Sequence, residues 1–392
     1  MVGILTLSPS GGIGQSIPEG FCFICGSRGL ADAILNALLF LPLGVLLGKQ
    51  GYHPVAALLL GAAMASGIEG LQMVVPGRHP TVGDIAWNGA GAGLGVAAQP
   101  FLAALLRGAP PAWSGAASAL GMGLGLVVAG FALEPTHGPG AYWIQWTPTR
   151  PGLETFPGDL VRASLDGRAL PYGRLPATGE THTRLLGDWT LRMKVVGQPS
   201  AGQRAPLLVI GDDDQVEGLY VGVEGSDLVL RERLRANSWR LDRPEVRFSG
   251  FPESAWTSDT VDIVLWRAGE TRCAELARVR RCDRGWSPAR TWSLIYYPGS
   301  AGRLLQYALD AAWAFSLLFI VGLVSRPGLV LGGSVALTVG LATLAIIATP
   351  LASPLLPVVL VAVLGASAGG LVSRRLRSLD PSARTKRGPV RS

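Results

Sequence analysis

Charge is scarce in this chain. Lys, Arg, Asp and Glu make up only 16% of the 392 residues, against 48% hydrophobic, and mean hydropathy is +0.35. Histidine and cysteine are scarcer still, at four each. His137 and His182 stand alone, with no partner at the spacing of a metal site or a catalytic triad. Cys22 and Cys25 form a CFIC pair, but two cysteines do not make a zinc site and no thioredoxin-like pattern surrounds them. Nothing in the sequence resembles an activated nucleophile. Glycine-rich runs such as 89–95 and 121–130 have no preceding strand, which removes a nucleotide-binding reading and leaves close helix packing. There is no basic surface interleaved with aromatics, so no nucleic-acid partner is expected. The +7 net charge owes much to the C-terminal run RRLRSLDPSARTKRGPVRS, which suits anionic lipid head groups.

Long apolar stretches are abundant instead. A bilayer core takes roughly 20 apolar residues per helix, and windows at 30–48, 54–75, 83–106, 113–133, 304–324, 328–349 and 355–372 meet that length. Lys49, Arg107, Arg326 and the C-terminal tail fall on one side if the chain alternates, and the positive-inside rule makes that side cytoplasmic. Residues 8–29, 76–82 and 134–302 are then expected outside. Residues 1–7 are too short to span, so this topology predicts a start further upstream and a first helix present only at its end.

Three of the windows carry polar residues at helical spacing. Asp32 and Asn36 lie four apart; Ser66, Glu69 and Gln72 lie three apart, with Arg78 just beyond; Asp84 and Asn88 again lie four apart. Such spacings place each group on one helix face. Ionisable groups in membrane-length segments must face a partner or a cavity. The topology brings them all to the outer leaflet. A buried hydrogen-bond network pinning three helices and a ligand or catalytic pocket both fit the pattern.

These residues resemble the VanZ-like family, named for a member associated with teicoplanin resistance. The resemblance rests on Asp32, Asn36, Phe40, Pro42 and Gly44, on Glu69, Gln72, Pro76, Gly77 and Arg78, and on Asp84, Asn88, Gly91 and Gly95. It covers residues 1 to about 107 and implies a role in the cell envelope. On that footing the cluster is expected to receive the polar head of an amphiphile, such as a lipid-linked wall precursor or a lipoglycopeptide. Two alternatives stay open: an enzyme with Glu69 or Asp84 as general base on a lipid-linked substrate, and a non-catalytic glycan-binding or structural anchor.

The segment 134–302 differs in kind. Short runs at 189–197, 205–211, 218–234, 260–269 and 291–298 alternate or are β-rich between turn signals, as expected of antiparallel strands. Strands at this spacing favour a β-sandwich, and the pattern resembles the laminin-G/concanavalin-A-like jelly roll. No cofactor is expected apart from Ca²⁺, for which Asp212, Asp213 and Asp214 could supply oxygens; a solvated hairpin tip is the other reading. Trp239, Trp256 and Trp286 could stack on sugar rings or pack a core. Cys273 and Cys282 flank an arm between strands and are expected to pair in an oxidising compartment. Asp310, in the 304–324 window, lies either near the interface or in the polar cluster.

The sequence therefore predicts a multidomain membrane protein with an α-helical bundle of about seven to eight helices and an extracytoplasmic antiparallel β-sandwich. The division is a VanZ-like domain (1–107), an additional helix (108–133), the sandwich (134–302), three helices (303–373) and a basic cytoplasmic tail (374–392).

Overall fold

The computed structural model describes residues 22–379 except 75–80, 108–109, 112, 139, 176–178, 200–201, 213–215, 257–258, 299–301 and 326–327. Seven of its helices are long and apolar enough to cross a membrane: α1 (Gly29–Lys49), α2 (Pro54–Gln72), α3 (Val82–Leu106), α4 (Ser114–Ala132), α7 (Arg303–Val324), α8 (Leu329–Ala348) and α9 (Leu356–Leu379). The predicted windows recur within a few residues, except that α2 ends before Val75 and α9 runs on through Arg374, Arg375 and Arg377.

Small residues set how closely these helices approach. A Cβ on Gly44 or Gly95 would fall on the Ala92 or Leu41 carbonyl oxygen, and one on Gly91 would fall on that of Ala37. A Cβ on Gly61 would press on the Ala92 methyl group, so α3 lies backbone to backbone against α1 and close against α2. Gly322, Gly365 and Gly369 play that part between α7 and α9, and Gly123 admits Leu341 of α8 against α4. Packing of this kind suits helices in lipid, where apolar burial supplies no drive for association.

Between α4 and α7 the chain builds two six-stranded antiparallel sheets. One has the order β4 (Gly173–Leu175), β1 (Tyr142–Trp146), β6 (Arg204–Asp212), β7 (Glu217–Glu224), β8 (Asp227–Glu232), β9 (Val246–Phe248). The other runs β12 (Val279–Asp283), β11 (Thr271–Leu276), β10 (Val261–Ala268), β5 (Trp189–Gly197), β2 (Gly158–Leu165), β3 (Arg168–Ala169). Period-two burial in β5 and β10 turns Leu191, Met193, Val195, Ile263 and Leu265 inward. There they share one core with Leu208, Ile210, Leu219, Val221 and Leu230 of the first sheet. The result is a β-sandwich. A short helix α5 (Gly179–Leu186) and a helical turn α6 (Arg235–Ser238) lie in its connections.

Of the run 291–298, expected as a strand, residues 291–294 belong to a 3₁₀ helix over Pro288–Leu294 and the rest is turn and irregular chain. Pro288 fits its first turn, and the hydroxyls of Thr291 and Ser293 donate back to the Pro288 and Arg290 carbonyls, so local hydrogen bonds replace a ladder.

The sandwich sits on the helix ends. Leu126, Ala132 and Leu133 of and after α4, and Ala345 and Leu351 at the end of α8, belong to the sandwich core. Ala352 N–H donates to the Trp286 carbonyl at 2.6 Å. Asp310 of α7 is buried and accepts from Arg290 (3.3 Å) and Trp292 Nε1 (2.8 Å), which settles its place at this junction.

One buried histidine gives the sandwich a pH-dependent term. His137 packs against Gly218, its Nδ1 has no hydrogen-bond partner, and burial pushes its pKa down to about 4 from 6.5. The folded sandwich therefore keeps it neutral while the unfolded chain takes up a proton first. Its contribution is complete above about pH 6.5 and is lost as pH falls towards 4, by up to about 3 kcal/mol. Urea unfolding followed by Trp fluorescence should show a loss between pH 6.5 and 4.5 that His137→Phe reduces. An unchanged slope in that variant would refute the assignment.

Candidate functional site

The polar residues of α1, α2 and α3 meet near the ends of these helices that face the sandwich. Thr81 caps α3: its hydroxyl accepts from Asp84 N–H (3.1 Å) and donates to Asp84 Oδ2 (2.9 Å). In a capping box the cap's own N–H is taken by a side chain three residues on. Here the Thr81 N–H goes instead to Glu69 Oε2 of α2, at 3.1 Å. The Asp84 Oδ1 atom accepts from Asn36 Nδ2 of α1 at 2.5 Å. Asn36, Glu69, Thr81 and Asp84 thus join three helices through a chain of hydrogen bonds.

Glu69 and Gln72 are buried in the last turn of α2. Asn88 is 5% exposed, one turn below Asp84, and its Oδ1 has no hydrogen-bond partner among the described residues. A buried amide acceptor without a partner is costly, of order 1–3 kcal/mol. Asn36 and Asn88 lie roughly 10 Å inside the ends of their helices. Asp32 is on the exposed side of α1, within electrostatic reach of Arg28, Asp84 and Asp242. Ser66 does not join the network: it is exposed, and its hydroxyl donates back to the Ala62 carbonyl (2.9 Å). Arg78 lies outside the described residues.

Two pieces of chain close over the end of this cluster. Residues 22–25 lie across the start of α3, where Trp87 Nε1 donates to the Phe23 carbonyl (2.8 Å) and Gly83 leaves room for it. The second piece comes from the sandwich. The Arg240 carbonyl accepts from Leu30 N–H (3.0 Å) and Ala31 N–H (3.3 Å), capping the open N–H groups at the start of α1. Arg240 adopts φ 56°, which aims that carbonyl, and its guanidinium donates to the Ile24 carbonyl. Arg28 pairs with buried Asp242 at 2.9 Å. Burial raises the Asp242 carboxyl above its ordinary range, opposed by the Arg28 guanidinium and by the N–H groups of Arg243 and Tyr297.

Thr81 carried a signal in the sequence, since Thr-x-x-Asp before an apolar run marks a helix start. Arg28, Arg240 and Asp242 carried none, because their contacts join distant parts of the chain.

Asp212 is buried and held by Arg233 (2.5 Å) and by Val216 N–H (2.8 Å), so its carboxylate already has partners within the sandwich. Asp213 and Asp214 lie outside the described residues. No cluster of metal-ligating side chains occurs among the described residues. Trp256 and Trp286 are buried in the core and unavailable for stacking, while Trp239 is partly exposed. Cys273 and Cys282 face each other across β11 and β12 and form a disulfide; Cys22 and Cys25 are also bonded to each other. His182 Nδ1 lies 3.2 Å from both Tyr142 Oη and the Gly138 carbonyl.

Residues 4–103, which contain α1, α2, most of α3 and the polar cluster, match the VanZ/LLP1 family model. No curated protein and no solved structure matches the chain. Seven membrane-length helices, three of them in or overlapping the matched region, make the chain a multi-pass membrane protein whose residues 4–103 are similar to the VanZ/LLP1 family.

Proposed function

We propose that the cluster of Asn36, Glu69, Gln72, Asp84 and Asn88, completed by Arg78, binds the polar head of an envelope amphiphile. Suitable ligands are a lipid-linked wall precursor or a lipoglycopeptide. The observation that carries this reading is Asn88: an amide acceptor 5% exposed in a membrane-length helix, without a hydrogen-bond partner among the described residues. An amide or hydroxyl donor of the ligand would satisfy it. Arg78 would pair with an anionic group of the head. The sandwich, docked on α1 through Arg240 and Asp242, would meet the glycan or peptide attached to that head. The basic residues between the helices favour an extracytoplasmic sandwich, and two disulfides suit such a compartment.

The test is lipoglycopeptide susceptibility in a sensitive host expressing wild type, Asn88→Leu or Arg78→Ala at matched membrane levels. Wild type should protect. Loss of a hydrogen bond or of a charge pair to the ligand should reduce affinity about tenfold or more, and protection should fall with it. Equal protection by all three would defeat the proposal.

A scaffold role is the second reading, favoured by the Asn36–Asp84 and Thr81–Glu69 bonds that tie the helices. It predicts that Glu69→Ala lowers folded yield in proportion to any lost protection. Binding predicts instead that Asn88→Leu retains folded yield and loses protection.

A further inference from the structure

The first sheet carries a cleft far in sequence from the polar cluster. In β1, Ile144 faces the core, so Trp143 and Gln145 face outward. Opposite Trp143 on the β6 side stands Gly211, which has no side chain and leaves a trough beside the indole. On the β4 side, Ile144 pairs with Gly173, and Tyr172 precedes it at the strand's start. The loop 148–151, which follows β1, lines the cleft with Thr149 and Arg150. Together these residues enclose about 480 Å³, within the ~300–1,000 Å³ range of small-molecule sites.

The chemistry of the lining is specific. Two large aromatic rings border the cleft and are exposed, Trp143 by 41% and Tyr172 by 71%. Between them, Arg150 Nη2 donates to Gln145 Oε1 at 3.0 Å. That bond orients the amide and leaves its N–H₂ end as a donor, beside the remaining guanidinium N–H groups. Flat aromatic faces flanking planar donors match a pyranose ring, which has apolar C–H faces and an equatorial belt of hydroxyl acceptors. An extended peptide would instead seek free backbone groups, but β1 is hydrogen-bonded on both sides, by β4 and β6.

We propose that this cleft binds a saccharide with equatorial, β-linked pyranose rings, stacked on Trp143 and Tyr172 and hydrogen-bonded by Gln145 and Arg150. The site rests on its own residues and stands whether or not the membrane cluster binds an amphiphile.

The full-length protein in phosphatidylglycerol nanodiscs, titrated calorimetrically with chitotetraose and with cellotetraose, tests this. Saturable binding of at least one is expected, quenching or shifting Trp fluorescence. Trp143→Ala and Tyr172→Ala should each weaken it about tenfold, with far-UV circular dichroism unchanged because both side chains stand outside the core. Tyr172→Phe should retain most of the affinity. Absence of binding to both saccharides overturns the proposal, as does binding that neither alanine variant weakens. Asn88→Leu should bind the saccharides as wild type does, which separates this site from the membrane cluster.

Discussion

Glu232→Ala is expected to cost the sandwich about 3–5 kcal/mol, a large share of the ~5–15 kcal/mol that holds a typical domain together. Glu232 belongs to β8 in the first sheet, and its two oxygens accept from Arg267 (2.9 Å) and Arg272 (2.8 Å) of β10 and β11 in the second. All three side chains are buried, and Arg272 also donates to the Glu270 carbonyl and lies over Trp286. Burial alone would raise the Glu232 carboxyl, but Arg272 and Arg267 outweigh it and hold it below its ordinary range. The triad therefore stays ionised at neutral pH and weakens only on strong acidification. Removing the carboxylate leaves two guanidinium groups without their counter-charge inside the sandwich. The measurement is urea unfolding of the full chain by Trp fluorescence. A midpoint within error of wild type would show that water or movement relieves the two arginines. Replacing all three residues together with Leu or Met should recover most of the loss, because an apolar core has no charge to desolvate.

The second large effect belongs to the membrane domain. Gly91→Val should abolish folded α1–α3, since its Cβ alone would overlap the Ala37 carbonyl and the bulkier side chain must separate the two helices. Overpacking in a closed site typically costs about 1–3 kcal/mol and sometimes more. In this instance it also pulls Asn36 away from Asp84. Gly70→Val on α2 is the matched control, because open space surrounds Gly70. Monodisperse yield from membranes should fall for Gly91→Val and hold for Gly70→Val. Equal yields would mean that α1 and α3 can part without loss.

Much of this architecture was legible in the sequence because it rests on local pattern. The 30–48 window became α1 over Gly29–Lys49, and the alternation at 189–197 became β5 over the same residues. Glycines in the third window did prove to be contact points between helices. Failures came where local pattern and partner disagree. The run TWSLIYYP has strand composition, yet Pro288 and two back-bonding hydroxyls draw its first four residues into a 3₁₀ helix. The short strands β3, β4 and β9 have two or three residues each, too few for any period to show. In the site, spacing placed Asn36, Glu69 and Asp84 on facing surfaces, but it also enrolled Ser66, whose hydroxyl is content with its own helix. Thr81, the residue that connects Glu69 to Asp84, escapes the apolar pattern because an N-cap lies outside the apolar window. The cleft at Trp143 was invisible for a different reason: Gly211 and Tyr172 reach it only through the sheet order β4-β1-β6.

The Arg240 carbonyl that closes α1 has a consequence for biogenesis. Arg240 and its other contact, Ile24, are 216 positions apart. At about 5–20 residues per second, the ribosome delivers Arg240 roughly 10–40 s after the first helix. Throughout that interval the start of α1 must find its hydrogen bonds in interfacial water or lipid. The region that matches VanZ/LLP1 is thus inserted early and finished late, and a chain terminated after α4 would leave α1 uncapped.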